Sequence, residues 1–339
     1  MKPWQKFWHH KQKMIYLYGA AFLFLLLSSL FACLAGASEL SLKEIFQGIS
    51  EGKESVSGRI LYLVRFPRLL ATILCGGALA LSGCVIQRAL ANPLASPSII
   101  GTGAGAGLAV TLCSALGIMG GLSVSLFAFL GAFLSVMTVS LISAKLSSSK
   151  GTVILVGVAV GALLNAISDA IVHLYPEVGI FRNDFKIGNF SFVAMSRIAP
   201  ASVLILIASL ALLFLSVPMD VLSLGDENAR GLGVHTTAVR TALLLLSAIL
   251  AGCAVSLCGL LSFVGLVVPH TIKKLWKGIP SFHLMLLSFL YGAGFVTFCD
   301  TVARTAFSPY EIPVGIIMAF LGAPFFLCLL LSRKGGKQI

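Results

Sequence analysis

A chain of 339 residues that is 58% hydrophobic and only 11% charged carries less than half the charge of an ordinary soluble domain, where about 25% of residues are charged, so a soluble globular fold is excluded. The net charge of +12 does not signal nucleic acid: acids are scarce, and no basic stripe with interleaved aromatics accompanies the excess. The composition describes an all-α polytopic membrane protein, in which each full span needs about 20 apolar residues.

Taken in chain order, apolar spans are predicted over residues 14–36, 69–87, 99–117, 120–144, 152–175, 198–217, 241–260, 261–272, 282–304 and 312–332. The first is read as a helix rather than a signal peptide, since no clear small-residue cleavage site follows it and many spans do. The leading tail MKPWQKFWHHKQK has four lysines and no acid, and the closing SRKGGKQI has three basic residues. The positive-inside rule then puts both termini in the cytoplasm and requires an even number of crossings.

That parity decides the reading of 241–272, 32 residues without a charge between Arg240 and Lys273. Two crossings put Lys273, Lys274 and Lys277 inside and give ten in all. Yet a helix of that length covers only about 48 Å, and two full spans need about 60 Å. One of the pair is therefore predicted to be short and supported by protein rather than lipid; LSFVGLVVPH, with Pro269, is the candidate. Within one membrane domain over 1–339, residues 37–58 read as an amphipathic external segment carrying Glu39, Glu44, Glu51 and Glu54. Residues 176–197 read as a second external loop, and 218–240 as the main cytoplasmic loop.

Several motifs stand out on this frame. Arg65 and Arg68 lie at the outer lip of a long apolar run, either as interfacial anchors that snorkel to headgroups or as a cationic patch for an external acidic partner. NPLASP, 92–97, ends a span as a plain turn or as the break of a discontinuous helix. GTGAGAG, 101–107, lacks the strand and acid of a nucleotide fingerprint and reads as close helix packing. In LGDENARGLGV, 224–234, Asp226, Glu227 and Asn228 start a short helix that Gly231 or Gly233 ends. That stretch is a linker or a docking element for a cytoplasmic partner. Asn165 and Asp169 lie in a span, as possible pathway residues or, for Asp169, equally as a group at the outer interface, and Asp300 with Arg304 is spaced i, i+4 as a local ion pair. The eight cysteines sit in apolar blocks without a CxxC pair and read as small core residues. No nucleophile–base arrangement and no P-loop occurs in the sequence, so neither catalysis nor ATP binding is expected of this chain.

The blocks RFPRLLATILCGGALALSGCVIQRALANPLASPSIIGTGAGAG, LGDENARGLGV, GLLSFVGLVVPH and GAGFVTFCDTVARTAFSPYEIPVGIIMAFLGAPFF, in this order, make the chain resemble the permease subunits of bacterial ABC importers for ferric siderophores, haem and vitamin B12. Two departures are local: Lys273 stands where an arginine is usual, and IGNF, 187–190, where a tryptophan is common. The resemblance implies the type II importer permease fold with ten helices, one short or broken, paired as a homo- or heterodimer around the pathway. It implies two cytoplasmic ATPase subunits that bind the ATP, and an extracytoplasmic substrate-binding protein. It assigns Arg65, Arg68 and Arg304 to binding-protein docking, and Leu224, Gly225, Asp226, Glu227, Ala229, Arg230, Leu232 and Gly233 to ATPase coupling. The implied cargo is a ferric siderophore, with haem or cobalamin as the alternative. An ion-coupled secondary transporter using Asp169, or a non-transporting scaffold, are the readings from other classes.

Overall fold

The computed structural model describes residues 3–35, 42–146, 150–191, 193–308 and 310–334, and all regular structure among them is helical. In chain order the helices are α1 (Pro3–Leu34), α2 (Leu42–Glu51), α3 (Val56–Ile60), α4 (Phe66–Ala89), α5 (Thr102–Ala115), α6 (Gly121–Leu146), α7 (Lys150–Leu174) and α8 (Val178–Ile187). There follow α9 (Met195–Phe214), α10 (Ser216–Leu222), α11 (Asp226–Gly231), α12 (Thr236–Cys258), α13 (Val264–Leu275), α14 (Ser281–Thr305) and α15 (Val314–Lys334). Each of the ten apolar segments read from sequence holds one long or short helix.

Among the described residues, seven helical stretches are long and apolar enough to cross a membrane: 12–34, 56–89, 121–146, 150–174, 195–214, 236–258 and 281–305. The split of 241–272 is found, with α13 only 12 residues long. At 1.5 Å per residue it rises about 18 Å, so it spans no more than part of the bilayer. The structure adds a second short helix. Residues 99–117, expected as a full span, hold the 14-residue α5 behind a 3-10 turn at 97–100. NPLASP causes this: Asn92 Oδ1 accepts from Leu94 N at 2.9 Å in a tight turn, and Pro97 opens the 3-10 turn. Helix α4 therefore stops at Ala89.

The two segments read as external both contain helices. The 37–58 segment folds as α2 and α3, and α3 continues through a π-helical turn at 61–65 into α4; Glu39 lies outside the described residues. The 176–197 segment contains a helix and is tied to the rest of the fold. Its helix α8 packs on α5, and its return strand is sewn in by Leu260 N to Phe185 O, Asn189 N to Cys258 O and Gly315 N to Gly188 O.

Helix α4 is the centre of the fold, packed along α14, α12 and α13. Its middle is rich in small residues, six of the eight from Gly76 to Gly83, and all eight are buried. Lipid supplies no hydrophobic drive between helices, so close backbone approach must supply dispersion and packing instead. Gly83 shows the fit: a Cβ there would lie 2.1 Å from the Gly265 carbonyl oxygen. The expected packing role of GTGAGAG is seen at Gly105, whose backbone meets Gly131 of α6 as closely. All eight cysteines are free, and six are buried.

Helices α4 and α14 run antiparallel, because Arg68 near the start of α4 meets Asp300 near the end of α14, while Arg88 at the far end of α4 meets Ile279 just before α14. The molecule thus has an arginine end (Arg65, Arg68, Arg304) and a loop end (α10 and α11).

Candidate functional site

At the loop end, α10 and α11 are a pair of helices anchored to the rest of the fold. Helix α11 covers Asp226–Gly231, as the sequence predicted. Gly225 precedes it at φ +100°, ψ 153°, and Gly233 follows at φ +80°; the first conformation is open essentially to glycine alone. Asp226 takes two bonds from Arg240 Nη2 of α12 at 2.8 Å and one ion pair from Lys150 of α7 at 3.4 Å. Arg240 also donates to Ala89 O of α4 at 3.2 Å. Burial pushes the Asp226 carboxyl up, but bonding and attraction from Arg240 and Lys150 outweigh it and hold it below its ordinary 3.8. Helix α10 is anchored likewise: Asp220 accepts from the Ser281 hydroxyl at 2.6 Å and the Ser281 N–H at 3.1 Å, and faces Arg88 at 3.6 Å.

Of the predicted coupling residues, Ala229 is buried against the core while Leu224 and Leu232 project as exposed apolar knobs. Arg230 reaches Thr236 at 3.4 Å. Glu227 lies beside Asp226 in the first turn of α11.

Between α5, α7, α8 and the 260–266 segment lies a cavity of about 880 Å³. Its walls are mostly small or apolar, with Gly103, Gly157, Gly161 and Phe263 among them; its polar groups include Asn165, Asp169, Arg182 and Lys186. Asn165 and Asp169, predicted as pathway residues, are adjacent on one face of α7. Asp169 pairs with Arg182 Nη1 of α8 at 2.6 Å. Phe263 enters α13 at φ +67°, a left-handed conformation that costs a bulky residue energy.

At the arginine end the structure gathers Arg65, Arg68 and Arg304, and the exposure expected of them is not found: all three are buried. Arg65 donates to the Cys33 and Leu34 carbonyls, and Arg304 to that of Ala32. They satisfy the last carbonyls of α1, which no intrahelical N–H can reach, and complement its negative end. Arg68 grips Asp300 with two bonds, Nε–Oδ2 at 2.9 Å and Nη2–Oδ1 at 3.0 Å, and Glu311 with a third at 2.9 Å. The local Asp300–Arg304 pair read from spacing is only a 3.9 Å contact. Asp300 belongs to Arg68 because that guanidinium can approach it in bidentate geometry.

Sequence reading missed Asp220, Lys150 and Arg240, which anchor the loop, and Arg182, Lys186 and Glu311. The i, i+4 spacing of Arg182 and Lys186 in FRNDFK was an available signal. The unusual Lys273 is absorbed locally: its ammonium donates to Gln87 Oε1 at 2.8 Å, and Gln87 donates to Gly265 O at 2.9 Å.

Comparison with known proteins matches this architecture. A model of the FecCD transport family covers residues 23–332. The chain is 35% identical over 302 residues to the Fe(3+)-citrate import system permease protein YfmD of Bacillus subtilis, spanning 88% of this chain and 89% of that one. It is 35% identical over 279 residues to the hemin transport system permease protein HmuU of Yersinia pestis, spanning 80% and 83%. A solved ABC transporter assigned to the metal-chelate type, in an inward-facing conformation, superposes with a TM-score of 0.83 at 29% identity, over 93% of this chain and 98% of that chain. On a match that runs from within α1 to within α15, this membrane-embedded chain belongs to the FecCD transport family.

Proposed function

We propose that the chain is the permease subunit of an ATP-driven importer of ferric siderophore complexes in a bacterial plasma membrane. Two permease chains pair, as a homo- or heterodimer, around a pathway to which the α5–α7–α8 cavity contributes. Two cytoplasmic ATPase subunits bind the ATP at the loop end, both termini lie on that side, and an external binding protein delivers cargo at the arginine end. The permease itself catalyses no reaction and carries no cofactor.

One observation carries this reading. Helix α11 is flanked by exposed apolar side chains at Leu224 and Leu232, while its Asp226 is bonded to α12 and ion-paired at 3.4 Å with α7, and α7 is a wall of the cavity. A push on α11 is thereby passed to the pathway. Rigid ion pairs suit such transmission better than a solvated linker, because the contact is a packed element rather than a tether. The docking role of Arg65, Arg68 and Arg304 is proposed in amended form. In the isolated chain they shape the face, and Glu311, 34% exposed over Arg68, is the group a carboxylate of the binding protein would replace.

The similarity to a hemin permease keeps haem as the second cargo. An ion-coupled transporter using Asp169 is the reading from another class; its carboxylate already faces Arg182 at 2.6 Å. The test is ATP-dependent uptake of radiolabelled ferric siderophore and of hemin by the complete transporter in proteoliposomes. Loss of uptake with retained ATP hydrolysis is expected on substitution of Gly225, Arg230 or Gly233. Tight coupling in all three variants would return 218–240 to linker status.

A further inference from the structure

We propose that Arg182, with Lys186 beside it, is a cargo-binding subsite in the cavity for the anionic oxygens of a metal chelate, and that Asp169 is its resident, displaceable counter-ion. This rests on the import reading above and names the chemical class of cargo the cavity accepts.

The argument starts from Arg182. Its side chain is 7% exposed, yet its Nε and Nη2 have no hydrogen-bond partner among the described residues. Only Nη1 is engaged, by Asp169. A buried guanidinium carries five N–H donors in a planar fork suited to carboxylates, and donors left without partners are costly. Folding normally places such a group only where something answers it. Asp169 answers it poorly: one contact, from a side chain that is 64% exposed and therefore readily exchanged for water or another anion.

The surroundings define the ligand. Arg182 and Lys186 both line the cavity, with Asp169 the only acid among the described residues of its walls and Asn165 one turn away on α7. With Arg182 and Lys186 charged and Asp169 ionised, this part of the wall keeps one net positive charge. Ser96, Ser98, Thr102 and Ser262 add hydroxyls to walls that are otherwise largely glycine, alanine and aliphatic residues. Such a site recognises charge and carboxylate geometry rather than a particular scaffold. A carboxylate-bearing chelate that displaces Asp169 gains the idle N–H groups. Asp169, held on the adjacent helix, returns when the chelate moves on. The exchange keeps binding weak, as a conduit requires: a ligand must be able to leave as well as enter.

The experiment uses the permease–ATPase complex in nanodiscs and equilibrium binding of two iron-55 probes. Ferric citrate is a carboxylate-rich anion; ferrioxamine B is a cationic hydroxamate chelate. Expected for ferric citrate are tightening of several fold in Asp169→Asn, about tenfold weakening in Arg182→Gln, and partial rescue in Arg182→Lys. Ferrioxamine B is expected to show no such order. Asp169→Asn keeps the test decisive if Arg182→Gln fails to fold, since a gain of affinity cannot come from misfolding. Ferric citrate binding that is absent from both wild type and Asp169→Asn, or unchanged between them, overturns the proposal. So does an equal response of both probes. Failure of the import reading looks different: the complete transporter would then take up no ferric chelate with ATP, whatever the order of citrate affinities.

Discussion

Replacing Asp226 by Asn tests the coupling element at its joint. The amide keeps an acceptor oxygen but removes the charge that two 2.8 Å bonds to Arg240 depend on. Arg240 is 4% exposed and cannot turn to water. Loss of a hydrogen bond between charged groups costs about 1.5–3 kcal/mol. The larger 3–5 kcal/mol of a fully buried pair does not apply, because the Asp226 side chain is 30% exposed. The Lys150 contact, partly solvated at 3.4 Å, adds under about 1 kcal/mol. A local cost of about 2 kcal/mol corresponds to about a 30-fold rise in the opening equilibrium of α11. Hydrogen exchange of 226–231 in the assembled transporter should lose that much protection, and more ATP should be hydrolysed per chelate imported. Unchanged protection together with unchanged stoichiometry would refute the transmission route through Asp226.

Other outcomes follow from the same packing. Arg68→Ala leaves buried Asp300 without its bidentate partner and should cost about 3–5 kcal/mol, read as a sharp drop in the detergent-solubilised melting temperature. Glu311→Gln, at a half-open position, should cost under about 1 kcal/mol. Gly83→Leu would drive a side chain into the Gly265 carbonyl and should cost at least about 1–3 kcal/mol, visible as lost folded yield, while Gly231→Ala, with open space around it, should be tolerated. Acid should loosen α11 late. The folded Asp226 titrates below 3.8, so its stabilisation is fully present above about pH 4, the unfolded value, and disappears as pH falls through the folded value. Exchange protection of 226–231, corrected for intrinsic rates, should be flat from pH 7 to 5; a decline beginning near pH 6 would show that another group governs it.

The helical segments were legible because bilayer length and charge-free runs are strong signals. The expected split of 241–272 into two helices is found in α12 and α13. Helix α11 was legible for a related reason, since acids, a short run and two glycines fix start and stop. The shortness of α5 was not: its apolar run was long enough, and only the 92–97 turn, an ambiguous signal, consumed the first residues. Nor was the fate of the arginines. A charged residue at the lip of a span has the same sequence signature whether it faces water, lipid headgroups or the open carbonyls of another helix. Which holds for Arg65 and Arg304 depended on where α1 ends, about 30 and 270 residues away along the chain. The Asp226–Arg240 and Asp169–Arg182 pairs join separate helices, so helical spacing could not reveal them.

The central claim is that this chain supplies a path and no energy. Purified permease, its ATPase and its binding protein should be reconstituted together and separately in proteoliposomes, and ferric chelate accumulation measured. The account predicts concentrative uptake only with all three proteins and ATP. Accumulation by the permease alone under an imposed sodium or proton gradient would contradict it.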